Sequence, residues 1–336
     1  MSSPLVSILF PVRDGEPYLA EAIASLRAQT MPDFEVIAVD DGSTDDSLEQ
    51  LESWAEDDPR VRVTSQPKGG IVAALETGRA QARGSYLARM DADDIAAPAR
   101  LEHQLALLAS DDSLVAVGCQ IDYFPEKALR DGARRYQDWI NSLTTAVDIA
   151  RDIFVECPLA HPTLLASARG VDDAGGYRTT GWAEDYDLIL RLWEAGGRFA
   201  KVPEVLLKWR ERADRLSRTD STYSLDAFRR CKVHYLARTL FRDRDGIVVW
   251  GAGPTGKGMA RTLLEAKVSL KAFVDLDPRK IGRRIYGAPV VPPIMINEYQ
   301  GSFCLAAVAQ PGAREEIRAA LAEAGWLETK DFVAVA

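Results

Sequence analysis

Cysteine is scarce in this chain. Cys119, Cys157, Cys231 and Cys304 are the four among 336 residues, and no two stand at the C-x-x-C spacing of a zinc or redox site. They read as reduced, mostly buried thiols, which excludes a disulfide framework. Long apolar runs are missing too: no stretch approaches the ~20 residues that a membrane-spanning helix needs. The first residues lack the basic segment and apolar core of a secretory leader. A cytoplasmic location is the expectation, with peripheral contact to the inner face of a membrane left open. Net positive charge is also absent. The formal charge is −9 and the pI near 5.1, so no nucleic-acid partner is expected, because phosphate backbones call for a net basic surface.

The length allows two domains, and 47% apolar with 8% aromatic residues can fill their cores. One region reverses the charge balance: residues 205–245 carry eleven Lys/Arg against six Asp/Glu, a local net of +5. That suits a diphosphate, a phospholipid surface or a solvated helix. The sharpest local feature is Arg89-Met90-Asp91-Ala92-Asp93-Asp94, which sets three carboxylates within four residues after the strand-like Tyr86-Leu87-Ala88. Carboxylates so close repel one another. A hard divalent cation, Mg²⁺ or Mn²⁺, bound with substrate phosphates relieves that repulsion; the plain alternative is a solvated acidic turn.

Apolar runs of strand length alternate with segments of helical spacing. Residues 4–12, 34–39, 61–65 and 85–90 predict four strands; residues 16–29, 44–56 and 69–83 predict the helices between them. Alternation of this kind implies right-handed crossovers and a largely parallel sheet, with ligands beyond the carboxyl ends of the strands. Three of those ends carry polar turns: Arg13-Asp14, Asp40-Asp41 and Asp91 to Asp94.

At this point the chain resembles a known family. Pro11-Val12 with Tyr18-Leu19, Ser25-Leu26 and Gln29-Thr30, then Val39-Asp40-Asp41-Gly42-Ser43-Thr44-Asp45, then Arg89 to Asp94 with Pro98, Arg100-Leu101 and Gln104, resemble the nucleotide-sugar half of inverting family 2 glycosyltransferases with the GT-A fold. The resemblance implies that Asp41, with Asp40 beside it, accepts a hydrogen bond from the base. It implies that Asp91 contacts the ribose or neighbouring arginines and that Asp93 ligates the metal, which assists departure of the diphosphate. Pro11 and Arg13 complete the donor side. The family often has an aromatic and an Asn where Arg13 and Asp14 stand, and Glu76 replaces a common Asn, so the choice of base is blurred.

Further on, a strand at 114–121 and one amphipathic helix over 130–154 are expected. His161-Pro162-Thr163 resembles the family's acceptor side, although a lone His is more often structural. Trp182 and Glu184 are assigned to the same side. Glu184-Asp185-Tyr186-Asp187 opens a helix, where acidic residues complement the dipole; the pair also resembles the family's base-bearing motif, and Asp185 is the candidate base. Arg212 stands where family members commonly have a His, which implies water or Glu211 in the metal shell, or Arg212 on the diphosphate itself.

Residues 224–242 predict a basic amphipathic linker helix packed on the catalytic domain. Beyond it, strand 247–250, Gly251-Ala252-Gly253-Pro254-Thr255-Gly256, a helix and a strand ending at Asp275 form G-x-G-x-x-G in its strand-turn-helix context. Gly251, Gly253, Gly256 and Asp275 are the candidate nucleotide contacts of this accessory module, which resembles small Rossmann-like modules of sugar O-acyltransferases. The expectation is α/β throughout: a GT-A domain with a mixed, mostly parallel sheet at 1–219, a basic linker helix at 220–245 and a small Rossmann-like domain at 246–336. The expected function is metal-dependent inverting transfer from a nucleoside-diphosphate sugar, UDP-linked, to a saccharide or glycolipid of a surface polysaccharide, with homo-oligomers left open. The rivals are a sugar nucleotidyltransferase, which would carry a Gly-rich basic loop absent from residues 10–19, and a lapsed nucleotide-sensing scaffold.

Overall fold

The computed structural model describes residues 3–336 as two compact units. The first comprises residues 3–149, Pro158–Thr180 and Glu184–Thr219; the second comprises Ala150–Cys157, Gly181–Ala183 and Asp220–Ala336. In the first unit, strands β1 (Val6–Val12), β2 (Phe34–Asp40), β3 (Val61–Ser65), β4 (Tyr86–Arg89), β5 (Ile95–Ala96), β6 (Leu114–Phe124), β7 (Leu165–Ser167) and β8 (Arg198–Arg210) form one sheet. Its order is β3-β2-β1-β4-β7-β6-β8-β5. β3, β2, β1 and β4 run parallel, β7 is antiparallel to both its neighbours, and β6 and β8 are again parallel. This mixed, mostly parallel sheet is the expected fold class.

β1 and β2 are buried along their whole length, as strands covered on both faces must be, and so they read as continuous apolar runs. Pro11 sits inside β1 without breaking the sheet. The β1–β4 ladder ends at Leu9↔Arg89, with Met90 N donating to Leu9 O at 3.2 Å. Pro11, two residues further on and facing the same side, therefore has no strand there to which an N–H would be owed. β4 leaves the sheet at that point and turns into the acidic run.

The long helix expected over 130–154 is two helices, Asp131–Ser142 and Ala146–Asp152. Tertiary hydrogen bonds break it. Asn141 donates from Nδ2 to Ile121 O at 2.8 Å and accepts from Ile121 N at 2.9 Å, while Lys201 N donates to Thr144 O at 2.9 Å. The second helix then restarts on a reciprocal cap, Asp148 N to Thr145 Oγ1 at 3.2 Å and Thr145 Oγ1 to Asp148 Oδ2 at 2.6 Å.

The second unit has its own sheet of β9 (Ile247–Trp250), β10 (Leu270–Val274), β11 (Arg284–Ile285), β12 (Ala288–Val291), β13 (Phe303–Ala306) and β14 (Phe332–Ala334), ordered β11-β12-β10-β9-β13-β14. All pairings are parallel except the β11–β12 hairpin. Helix Leu225–Arg238, expected as a linker on the catalytic domain, groups with this unit. Ser224 caps it, accepting from Ala227 N at 3.3 Å.

The glycines after β9 divide by role. A Cβ on Gly256 would stand 1.7 Å from Gly251 O, whereas one on Gly253 would meet nothing within 4 Å. Gly256 is thus a close-packing requirement of the strand-helix turn. Gly256→Ala should destabilise the second unit by at least the roughly 1–3 kcal/mol typical of overpacking, while Gly253→Ala, at an ordinary φ of −87°, should stay within about 0.5 kcal/mol. Denaturant melts of the two variants check this, and equal losses would refute it.

Candidate active site

The turns after β1 and β2 are sewn together by short polar side chains. Asp14, at φ 47°, accepts from Thr44 N at 2.7 Å and Thr44 Oγ1 at 3.1 Å, and the Thr44 amide holds its carboxyl below the usual carboxylate range. Gly15 N donates to Ser47 Oγ at 2.8 Å and Glu16 N to Asp45 Oδ2 at 3.1 Å. Arg13 lies at the exposed edge of this seam, paired to Asp14 at 3.4 Å. Asp40 is buried, accepting from Ser43 N at 3.2 Å and Ser65 Oγ at 3.0 Å. Asp41, also buried, accepts from Gln66 Nε2 at 2.7 Å, Gly69 N at 2.8 Å and Gly70 N at 2.8 Å. Asp41 thereby pins the loop after β3 to the end of β2.

Asp91, Asp93 and Asp94 follow β4, and one carboxylate oxygen from each lies within 4.8 Å of the others. Arginines surround them. The buried Arg89 pairs with Asp91, and Arg212 Nε stands 3.1 Å from Asp93 Oδ2. Arg210 donates its backbone N–H to Asp94 Oδ1 at 2.8 Å and its Nε to Asp93 O at 2.7 Å, with its guanidinium 4.3 Å from the Tyr18 ring centroid and 4.2 Å from that of Phe124. Arg100, 1% exposed, holds Arg89 O at 2.6 Å from below. Burial and then the neighbouring carboxylates still push Asp93 up and Asp94 well up from the ordinary range. The buried Asp94 Oδ2 has no hydrogen-bond partner. Clustered hard oxygen donors with an orphaned carboxylate oxygen fit a small divalent cation.

A second cluster gathers around the start of helix Glu184–Glu194. His161 Nε2 lies 3.1 Å from Tyr177 Oη and its Nδ1 3.6 Å from Glu184 Oε1. Burial, then the charge of Arg89, keeps His161 neutral by lowering its pKa well below normal. Burial raises the Tyr177 hydroxyl. Tyr177 is held in turn from its backbone, its N–H donating to Glu76 Oε1 at 2.5 Å, and Glu76 pairs with Arg79 at 2.7 Å. Asp185, beside Glu184, is raised to about 7 by burial and then by the Glu184 charge, with Oδ1 accepting from Tyr186 N at 2.7 Å. A cavity of about 10 Å³ lined by His161, Asp185, Leu159, Leu164 and Ile189 is at the lower limit for one water.

The first-unit residues singled out in the sequence thus fall into three places. Pro11, Arg13, Asp40 and Asp41 mark the β1–β2 turns, Asp91, Asp93 and Arg212 the acidic cluster, and His161, Glu184 and Asp185 the helix start. Trp182 groups with the second unit, its ring 5.4 Å from that of His234. Asp275 closes the glycine loop upon itself, accepting from Ala252 N at 2.8 Å, Asp277 N at 2.8 Å and Lys280 Nζ at 2.9 Å. In the sequence Arg89 and Arg100 have a place in the family pattern but no role in the site, and none is assigned to Tyr177 or Arg210. The unusual Glu76 and the paired Gly175-Gly176, both at positive φ, were the signals that could have led to Tyr177.

A mixed α/β sheet with an acidic run after its fourth strand and a carboxylate pair at a helix start defines a GT-A-type transferase. Residues 7–173 match the family described as glycosyl transferase family 2. EpsE of Bacillus subtilis is 32% identical over 258 residues, which are 72% of this chain and 90% of EpsE. The amylovoran biosynthesis glycosyltransferase AmsE of Erwinia amylovora is 30% identical over 201 residues, 60% of this chain and 73% of AmsE. Chondroitin synthase of Escherichia coli is 32% identical over 195 residues, but the chain spans only 27% of its length. Among solved structures, S. aureus TarS 1-349 in complex with UDP-GlcNAc superposes with a TM-score of 0.55 at 17% identity, covering 69% of this chain and 66% of that one. Mannosyltransferase PcManGT of Pyrobaculum calidifontis, in complex with GDP-Man and Mn²⁺, gives 0.51 at 20% identity over 78% of this chain and 69% of its own. The chain belongs to glycosyl transferase family 2 and is a glycosyltransferase. Among the described residues no helix is long and apolar enough to cross a membrane.

The elevated Asp185 carboxyl has a thermodynamic consequence. Its pKa is about 7 in the fold against ~3.9 unfolded, so the native state holds the extra proton. The stability this contributes is complete below pH ~4 and is lost as pH rises through about 7. Asp185→Asn carries no such loss. The Tm of the variant relative to the parent should climb between pH 4 and 7 and then level off; a pH-independent difference would refute the shift.

Proposed function

We propose that this glycosyltransferase moves a sugar, with inversion at the anomeric carbon, from a nucleoside-diphosphate sugar, UDP-linked, to a saccharide or glycolipid acceptor in polysaccharide biosynthesis. One observation carries the reading: the Glu184-Asp185 carboxylate pair at the start of a helix, where burial pushes Asp185 up to about 7, in the same unit as a triad of oxygen donors. A general base works best with a pKa close to the operating pH. The titles and names of the relatives support the donor and the setting, TarS with UDP-GlcNAc and AmsE with amylovoran.

The roles follow from chemistry at named atoms. Asp41 uses three of roughly four acceptor positions of its carboxylate on Gln66, Gly69 and Gly70, leaving one for the imide N–H of uracil. Asp40 and Asp14 hold the surrounding turns, and Arg13 borders the opening with its planar guanidinium. Asp93, with Asp91 and Asp94, is the set that would hold Mg²⁺ or Mn²⁺, and that ion would neutralise the diphosphate as it leaves. Arg212, now paired with Asp93, is placed to bind phosphate through its fork. Asp185 takes the proton from the acceptor hydroxyl while that oxygen bonds to the anomeric carbon. The bond from that carbon to the diphosphate oxygen breaks with its electron pair, and the nucleoside diphosphate leaves.

Two variants test the assignment. Asp93→Ala should abolish turnover of sugar nucleotides in the presence of Mn²⁺ without lowering Tm, and full activity of the parent in excess EDTA would overturn the metal role. Asp185→Asn should leave donor affinity unchanged and lower kcat by roughly two to four orders of magnitude, with the parent's kcat rising through pH 7. A loss confined to donor affinity would remove Asp185 from the chemistry. Hydrolysis of a panel of UDP-, GDP- and TDP-sugars identifies the donor.

A further inference from the structure

Three arginines approach the acidic run after β4, and they are held unequally. Arg89, paired with Asp91, has a side chain only 4% exposed. Arg210 is engaged through several atoms: its guanidinium pairs with Glu21, donates to Asp93 O at 2.7 Å and lies over the rings of Tyr18 and Phe124. Arg212 differs from both. Its Nε stands 3.1 Å from Asp93 Oδ2 and 3.5 Å from Asp214 Oδ1, yet that nitrogen has no directed hydrogen bond. The guanidinium lies 5.2 Å from the Tyr18 ring centroid, and the side chain is 27% exposed. Attraction of opposite charges holds it against Asp93, without the fork geometry that makes a guanidinium-carboxylate pair strong.

Chemistry limits what Arg212 can do in that place. A guanidinium stays protonated at any working pH and has no lone pair to offer, so it can never join a metal shell. Standing against Asp93, it competes for the oxygen that a divalent cation would take. Glu211 does not fill the gap, since its carboxylate already accepts from Arg215 at 3.1 Å and from Arg218 at 2.9 Å. Asp94 Oδ2 meanwhile is buried without a hydrogen-bond partner, so the cluster keeps an unmet demand for a cation. Arg212 and a metal therefore contend for one carboxylate. A diphosphate resolves the conflict, because its oxygens match the planar fork that Asp93 leaves unused.

We infer that Arg212 is a displaceable counter-ion of Asp93: it pairs with that carboxylate until a donor binds and then transfers to the diphosphate, so that divalent cation and nucleoside diphosphate bind together and each binds poorly alone. Asp93 is released to a cation only when there is a diphosphate for that cation to neutralise. The inference rests on Asp93 acting as a metal ligand. It makes the arginine at this position a coupling device between the two ligands and not a plain phosphate contact.

The test uses the full chain and two binding measurements. Mn²⁺ alone is titrated against the protein by the paramagnetic resonance signal of the free ion; UDP, with GDP beside it, is titrated by calorimetry at saturating Mn²⁺. Arg212→Ala should bind Mn²⁺ alone more tightly, by roughly 5-fold or more, the lower end of an ordinary coupling between two ligands. The nucleoside diphosphate should bind the same variant roughly 10- to 100-fold more weakly, the loss of a charge-assisted contact. Arg212→Lys keeps the charge and loses the fork, so it should hold Mn²⁺ alone as weakly as the parent does and still bind the nucleotide less well. Opposite signs are the signature, because a residue that only supports the fold would weaken both. Unchanged Mn²⁺ affinity in Arg212→Ala, or weaker affinity for both ligands, overturns the proposal. Should Arg212→Ala not fold, Arg212→Gln removes the charge with most of the side chain kept and reads out the same way. Asp93→Ala separates the two levels: if it binds Mn²⁺ as the parent does, the metal role of Asp93 fails and this inference with it; if it loses Mn²⁺ while Arg212→Ala gains none, only the counter-ion role fails.

Discussion

Repulsion among Asp91, Asp93 and Asp94 is the constraint around which the first unit is built. Burial, and then the neighbouring carboxylates, raise the pKa values of Asp93 and Asp94, and the chain sets arginines around the cluster. Arg89 pairs with Asp91 from within the strand end, Arg212 reaches Asp93, and Arg210 donates its backbone N–H to Asp94 and its Nε to the Asp93 carbonyl while its guanidinium pairs with Glu21. Arg100 lies beneath, holding the strand carbonyl and not a carboxylate. Planar guanidiniums suit this work, because each can satisfy several acceptors while stacking on rings such as Tyr18 and Phe124. What stays unsatisfied is Asp94 Oδ2, and the remaining repulsion is of the kind a divalent cation would relieve.

The sheet order gives the repulsion its location. β4 pairs with β1 for four positions only, so the acidic turn opens at the carboxyl edge of a parallel sheet, beside the β1 and β2 turns. Those turns are closed by Asp14, Ser43, Thr44 and Ser47, and their shape does not await a ligand. On the other flank, the chain from Glu76 through Tyr177 and His161 to Glu184 surrounds Asp185 with a neutral imidazole and a like charge. A carboxyl in that setting gives up its solvated, low-pKa behaviour and gains the affinity for protons that a base needs.

Much of this was legible in the residues. Asp40 to Asp45, Asp91 to Asp94, Glu184-Asp185 and Gly251 to Gly256 are local patterns whose turn and helix-start chemistry reads directly from residue type. The partners were not. Glu76 and Tyr177 are 101 residues apart, Arg210 and Asp94 are 116, and no pattern of spacing joins such residues. The single helix expected over 130–154 failed for the same reason: its amphipathic period is real, but Asn141 bonds to Ile121 and Thr144 to Lys201 across the fold.

The sequence by itself determined the alternation of strands and helices, the acidic turns at strand ends, the base candidate at the head of a helix and the glycine turn of the second unit, because each depends on side chains within a few residues. Only the tertiary structure decided the protonation of Asp185, the arginine cage of the acidic cluster and the grouping of Ala150–Cys157 and Gly181–Ala183 with the second unit. Burial and the approach of distant charges set those, and neither exists until the chain has folded.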